Sequence, residues 1–160
     1  MKIIWAPWRI KYIHAKKKKG CIFCAALKEK NNFVITRNKF SFSMLNTFPY
    51  NNGHIMISPN RHTGKLESLS EIEALDLFKT LLETKKLLDK TLSPQGYNIG
   101  INIKEAAGAG VTGHLHIHIV PRWKADTNFM SVCSDTKVIS QSLKELYSKL
   151  KKQVRNNYRD

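Results

Sequence analysis

Carboxylates are scarce in this chain: 12 Asp and Glu stand against 27 Lys and Arg over 160 residues, a net charge of +15. No acidic cluster accompanies the histidines of the chain, and Asp126 and Asp135 have no acidic neighbour in sequence. No acidic set is therefore ready to hold a catalytic Mg²⁺ tightly. Long apolar runs are missing too. No stretch of 18 or more apolar residues occurs, so neither a transmembrane helix nor membrane contact is expected. Met1 to Trp8 lacks the apolar stretch and small-residue cleavage site of a secretory signal. Cysteine occurs three times, at 21, 24 and 133, an odd number that makes no disulfide framework. A reducing cytoplasm is the expected setting. No internal repeat or interdomain linker interrupts the chain. One domain over 1–160 is predicted, with an arm over about 1–20, a core over 21–130 and a C-terminal helix over about 136–156.

What the chain does have is positive charge in blocks and 42% hydrophobic residues, enough for a folded core. Lys16 to Lys19 form one block, and Lys144, Lys149, Lys151, Lys152, Arg155 and Arg159 load the C-terminus. Solvated helix faces are the simpler reading, and attraction of phosphate-rich ligands or nucleic acid is the alternative.

The densest pattern is His114-Leu115-His116-Ile117-His118-Ile119-Val120, followed by Pro121-Arg122-Trp123. Side chains alternate along a strand, which puts three imidazoles on one face and Leu115, Ile117 and Ile119 on the other. A helix would scatter the same histidines, and the β-branched run favours the strand. Such a face is a poor core and a good reaction surface. Neutral imidazole, available near pH 7, is a nucleophile, a proton carrier and a metal ligand.

The rest of the chain supplies a frame. Trp5-Ala6-Pro7-Trp8 is too stiff and apolar for a free tail and is expected to pack on the body or on a partner subunit. Cys21-Ile22-Phe23-Cys24 is ambiguous between a zinc turn, a redox pair and two buried thiols. Residues 40–46 and 54–59 read as a hairpin across the Pro-, Asn- and Gly-rich segment 47–53. Ser70 and Glu73 form a capping box for a helix to about Leu92, with Ile72, Leu75, Phe78, Leu81 or Leu82, and Leu88 as its apolar face. Residues 97–103 alternate as another strand. The Gly/Ala loop 106–113 leads into the histidines and lets backbone N–H groups approach a phosphate. It lacks the strand and helix context of a Walker or dinucleotide loop. Ser142 and Glu145 repeat the capping box ahead of Leu146, Leu150 and Val154, predicting a helix to roughly Val154.

These motifs resemble the histidine-triad family, whose signature is His-φ-His-φ-His-φ-φ with φ apolar. Pro121-Arg122-Trp123, Asn46, Gly53-His54 and Trp5-Ala6-Pro7-Trp8-Arg9 extend the likeness along the chain, towards the bacterial diadenosine-polyphosphate phosphorylase-like branch. The resemblance implies an α+β fold with an antiparallel sheet of about five strands and two main helices, assembled as a homodimer or higher homo-oligomer. It also implies attack by the middle histidine on the α-phosphate of a dinucleoside polyphosphate such as diadenosine tetraphosphate. Water or phosphate would then resolve a nucleotidyl-histidine intermediate. On this likeness His116 is the nucleophile, and His118 and His54 assist at the phosphate or leaving group. Asn46 matches the ribose contact, and Asn102, Gly108 and Gly110 match the phosphate-contacting region, with one extra residue before the triad. Trp123 would shape the substrate pocket. A further likeness, to the galactose-1-phosphate uridylyltransferases, implies structural Zn²⁺ on Cys21, Cys24, His62 and His114. Ser58-Pro59-Asn60-Arg61-His62 fits their segment with one additional residue. Mg²⁺ would arrive only with substrate, and Cys133 and His14 are expected bystanders. Two other readings use the same residues: hydrolysis of a nucleoside phosphoramidate or adenylyl sulfate, and a zinc-stabilised nucleotide- or nucleic-acid-binding module without turnover.

Overall fold

The computed structural model describes residues 20–29, 33–124, 126, 139 and 141–157. The Trp-Pro-Trp arm, the lysine block, His14, Asp135 and Cys133 lie outside the described residues.

Period-two alternation builds a five-stranded antiparallel sheet: β1 (Val34–Arg37), β2 (Ser41–Leu45), β3 (Ile55–Pro59), β4 (Gly96–Ile101) and β5 (Ile117–Arg122). Their spatial order is β1-β2-β3-β5-β4. The expected hairpin is β2–β3, in register from Ser41↔Pro59 to Leu45↔Ile55. Its turn closes where the Asn46 N–H donates to His54 O (3.0 Å) and the His54 N–H to Asn51 O (3.2 Å). Gly53 stands there at φ +79, and a Cβ would come within 2.7 Å of Leu92 Cδ1 and 2.9 Å of Pro121 Cγ. Only glycine suits that corner.

Each sheet face has its own cover. Leu45, Ile55, Ile57, Leu115, Ile117 and Ile119 form a core with the long helix α2 (Glu71–Leu92) and with α3 (Leu143–Asn157). On the other face Phe42, Met44 and Met56 pack with Phe23 and Ala26 of the short helix α1 (Ile22–Lys28). The two main helices thus lie together, and the histidine face receives only seven helical residues.

Both elements that escape the sequence patterns are short. β1 has four residues, and α1 begins without a side-chain cap at Cys21. The capping box of α2 forms as expected: Ser70 Oγ accepts the Glu73 N–H, and the Glu73 carboxylate accepts the Ser70 N–H. Its inward face is a correction. Ile72, Leu75, Phe78 and Leu82 are exposed, and Leu77, Leu81, Leu87 and Leu88 are buried with Thr80 and Thr84. Small threonines let the helix sit close over β2, where Thr80 Oγ1 lies 2.7 Å from both Ser41 Oγ and Asn38 Nδ2. α3 starts at Leu143, later than the expected 136, with Ser142 Oγ accepting the Glu145 N–H. No helix among the described residues is long and apolar enough to cross a membrane.

Candidate active site and metal centre

β5 enters the ladder only at Ile117, opposite Ile57 on β3 and Ile101 on β4. His114 and His116 precede it, because the Leu115 N–H leaves the sheet to donate to Thr63 O (2.6 Å). Side-chain alternation nevertheless continues through the segment, with Leu115, Ile117 and Ile119 in the helix-side core and the histidines on the opposite face. The three imidazoles therefore share a face, as expected, but meet different neighbours along it.

Hydrogen bonds fix the protons. His54 Nδ1 accepts the Tyr50 N–H (3.0 Å) and faces Asn46 Nδ2 (3.3 Å), so it carries a lone pair. His54 Nε2 must then hold the proton, which it donates to His118 Nδ1 at 2.9 Å. That leaves the proton of His118 on Nε2, a buried atom with no hydrogen-bond partner among the described residues. His116 Nδ1–H donates to its neighbour's backbone, His114 O, at 2.8 Å. Its Nε2 is consequently a lone pair. A lone pair and an N–H thus stand side by side, with the rings of His116 and His118 4.8 Å apart.

Burial keeps these groups neutral. It pushes His54 down to about 3, helped by the like charges His118 and His116 would carry, and pushes His118 down to about 4, helped by His116. Burial also lowers His116 and His114. Tyr50 roofs the pair, its ring 4.6 Å from His54 and 5.6 Å from His118. Phe23 lies 4.8 Å from His116 and 5.1 Å from His114. Neither aromatic was singled out in the sequence, although Phe23 sits inside the Cys-x-x-Cys motif.

The first histidine faces a different group of side chains. His114 Nε2–H donates to Pro59 O (2.9 Å), which turns the Nδ1 lone pair towards Cys21, Cys24 and His62. Sγ of Cys21 lies 3.2 Å from that nitrogen and Sγ of Cys24 3.6 Å. His62 Nδ1 is 3.3 Å from it and 3.4 Å from Cys24 Sγ. A tetrahedral ion with Zn–S of about 2.3 Å and Zn–N of about 2.0–2.1 Å needs ligand separations of roughly 3.3–3.8 Å. The donor set therefore fits. Burial and the adjacent Cys21 thiol push the Cys24 thiol up, an effect a bound cation would reverse.

Of the expected substrate residues, Asn46 adjoins the histidine network and also accepts the Phe48 N–H through Oδ1 (2.9 Å). Asn102 is half-buried beside Gly108, whose missing Cβ would sit 3.8 Å from Asn102 Nδ2, and Gly110 is exposed on the same loop. That loop passes behind His62, since a Cβ on Gly113 would sit 3.5 Å from His62 Nε2. His54 is fully buried with both ring nitrogens engaged, so its reach to a ligand runs through His118. Trp123 is not brought to the histidines within one chain. It lies five residues beyond His118, roughly 16 Å along a strand, and its Nε1–H donates to Ser93 O past the end of α2 (3.3 Å). Asp126 holds Arg122 and Asn51, which ties the far end of β5 to the 47–53 turn.

A five-stranded antiparallel sheet with a buried imidazole array along one face and a Cys₂His₂ cluster beside it is a defined architecture. The HIT domain family model matches residues 27–125, and the chain belongs to the histidine-triad family. The AP-4-A phosphorylase of Mycobacterium tuberculosis is 32% identical over 153 residues, covering 89% of this chain and 78% of that protein. The asymmetrical bis(5′-nucleosyl)-tetraphosphatase of Schizosaccharomyces pombe is 37% identical over 93 residues, 58% of this chain and 50% of that one. A solved structure of a Zn-bound histidine triad family protein from Mycobacterium smegmatis shares the fold at TM-score 0.70 and 22% identity, covering 88% of this chain and 98% of that one. The family match begins after Cys21 and Cys24, so the case for those two as metal ligands is geometric.

Proposed function

We propose that the protein transfers a nucleotidyl group from a dinucleoside polyphosphate such as diadenosine tetraphosphate, through a covalent intermediate on His116. The observation that carries this reading is the pair of complementary nitrogens: a lone pair on His116 Nε2 and a buried, unpartnered N–H on His118 Nε2. Attack by His116 Nε2 on the α-phosphorus forms a P–N bond and expels the nucleoside triphosphate. His118 Nε2–H donates to a phosphate oxygen as charge builds there, and His54 holds the tautomer that makes this available. Asn46 would contact the ribose, and Asn102, Gly108 and Gly110 the phosphates. The neutral histidines leave the substrate's charge to be met by donors and by the +15 field of the chain.

Phosphate as the second acceptor is supported by the mycobacterial AP-4-A phosphorylase, aligned over 89% of this chain. Products resolved by chromatography test it: ADP and ATP formed only with phosphate mean phosphorolysis. AMP and ATP, or ADP alone, without phosphate mean hydrolysis. Equal turnover of a nucleoside phosphoramidate or adenylyl sulfate would redirect the substrate assignment.

Cys21, Cys24, His62 and His114 would hold Zn²⁺, which when bound cross-links α1 to the start of the triad. Mg²⁺ enters only as a companion of the substrate. The setting is cytoplasmic, where the thiols stay reduced. The chain pairs with a second copy through the exposed stripe Leu75, Phe78 and Leu82 of α2 and the neighbouring edge strand β4, where Ile99 is half-exposed.

A further inference from the structure

Helix α1 does two things at once. It carries Cys21 and Cys24 to the metal cluster, and between them it carries Phe23, fully buried against the triad. The Phe23 ring lies 4.8 Å from the His116 ring with 33° between the planes, an offset, tilted stack. His116 also meets the His118 ring edge-on at 4.8 Å and 76°. Its Nδ1 is held by His114 O. Two ring contacts and one hydrogen bond define a plane and a direction for the imidazole, leaving Nε2 as its nitrogen without a partner among the described residues.

Phe23 also touches His114, the cluster histidine, at 5.1 Å. A seven-residue helix without a capping side chain has little stability of its own. Among the described residues it is held by apolar contacts with Phe42, Met44 and Met56 and by Arg37, which donates to Ala26 O and Leu27 O, and a metal on the Cys₂His₂ cluster would add to these. The metal ligands and the ring against the nucleophile therefore move as one piece.

We propose that Phe23 is a positioning residue for His116: carried on the helix that the metal centre anchors, its ring sets the imidazole plane so that Nε2 faces the reacting phosphorus. This rests on the nucleophile assignment above and adds to it a route by which the metal centre bears on turnover. Misplacing a reacting atom by about 1 Å costs on the order of 10²-fold in rate, so loss of the ring should appear in kcat.

The test compares Phe23→Leu with Phe42→Leu in the zinc-loaded full chain. Phe42 belongs to the same apolar cluster and touches Phe23 edge-on at 6.4 Å, so its truncation is a matched packing loss. Phe23→Met, which fills the space with a flexible chain, serves if the leucine variant does not fold. Zinc per chain, kcat and KM for diadenosine tetraphosphate, and long-range ¹H–¹⁵N imidazole spectra are measured on each. The expected result is one zinc per chain, KM within about twofold, kcat lowered about 10- to 100-fold only in the Phe23 variants, and a His116 signal spread over both tautomers. Equal kcat in the Phe23 and Phe42 variants overturns the proposal, as does a loss that follows zinc content and returns fully on adding Zn²⁺. An active His116→Asn removes the nucleophile reading and this role with it. An inactive His116→Asn beside a fully active Phe23→Leu removes the role of Phe23 alone.

Discussion

Proton placement in this site begins at the backbone and passes inward, from the Tyr50 N–H to His54, from His54 to His118, and separately from His116 to His114 O. Removing a link should act at a distance. His54→Ala leaves His118 Nδ1 unpaired and frees its tautomer, so kcat should fall about 10- to 100-fold with substrate affinity little changed; steady-state kinetics check it. Burial of neutral imidazole also makes stability pH-dependent. His54 and His118 bind protons near 6.5 when unfolded but only near 3 and 4 when folded. Their contribution is complete above 6.5 and is lost as pH falls from there through the folded values, at up to about 1.4 kcal/mol per pH unit for each. In urea midpoints, wild type should lose stability relative to His118→Gln as pH falls from about 6.5 towards 4; a difference independent of pH would contradict the assignment. Alternation showed which face the histidines share, whereas the division of labour among them did not. On the proposed reading His114 would serve as a ligand because Pro59 O stands behind its Nε2, and His116 as the nucleophile because a carbonyl takes its Nδ1–H. Neither carbonyl has a sequence signature.

At the scale of elements, the site depends on how closely the segment 62–64 lies against 112–115. The Leu115 N–H reaches Thr63 O at 2.6 Å, and a Cβ on Gly64 would collide with the Thr112 carbonyl. Gly64→Ala should therefore push His62 away from His114 and Cys24, and zinc content per chain should fall well below one while α2 keeps its helicity; full zinc occupancy would count against this packing. The hairpin, the capped helix α2 and the strand before the loop were legible because each spans several periods of its own repeat. α1 and β1 were not, since seven and four residues hold too little periodicity. On α2 two apolar stripes compete. Ile72, Leu75 and Phe78 read as a core face with Leu81 or Leu82 and Leu88, yet of these only Leu81 and Leu88 are buried, and Thr80 and Thr84 decide the matter, because short side chains let the backbone approach β2. Period alone does not say which stripe a neighbour can fit against.

For the whole molecule, the proposed pairing with a second copy rests on that outward stripe. Phe78→Lys with Leu82→Lys should shift the chain from dimer to monomer in sedimentation velocity without lowering zinc content, and an unchanged sedimentation coefficient would contradict the pairing. The fold, the sheet order and the imidazole array together serve one claim: His116 forms a bond to the substrate's α-phosphorus. The direct measurement is the intact mass of the protein after brief incubation with diadenosine tetraphosphate without phosphate, quenched at alkaline pH, where a P–N bond to imidazole survives. The account predicts a mass increase of one adenylyl group, mapped to the peptide holding His116 and discharged as ADP when phosphate is added. Turnover by His116→Asn at the wild-type rate, or an adduct mapped to another residue, would contradict it.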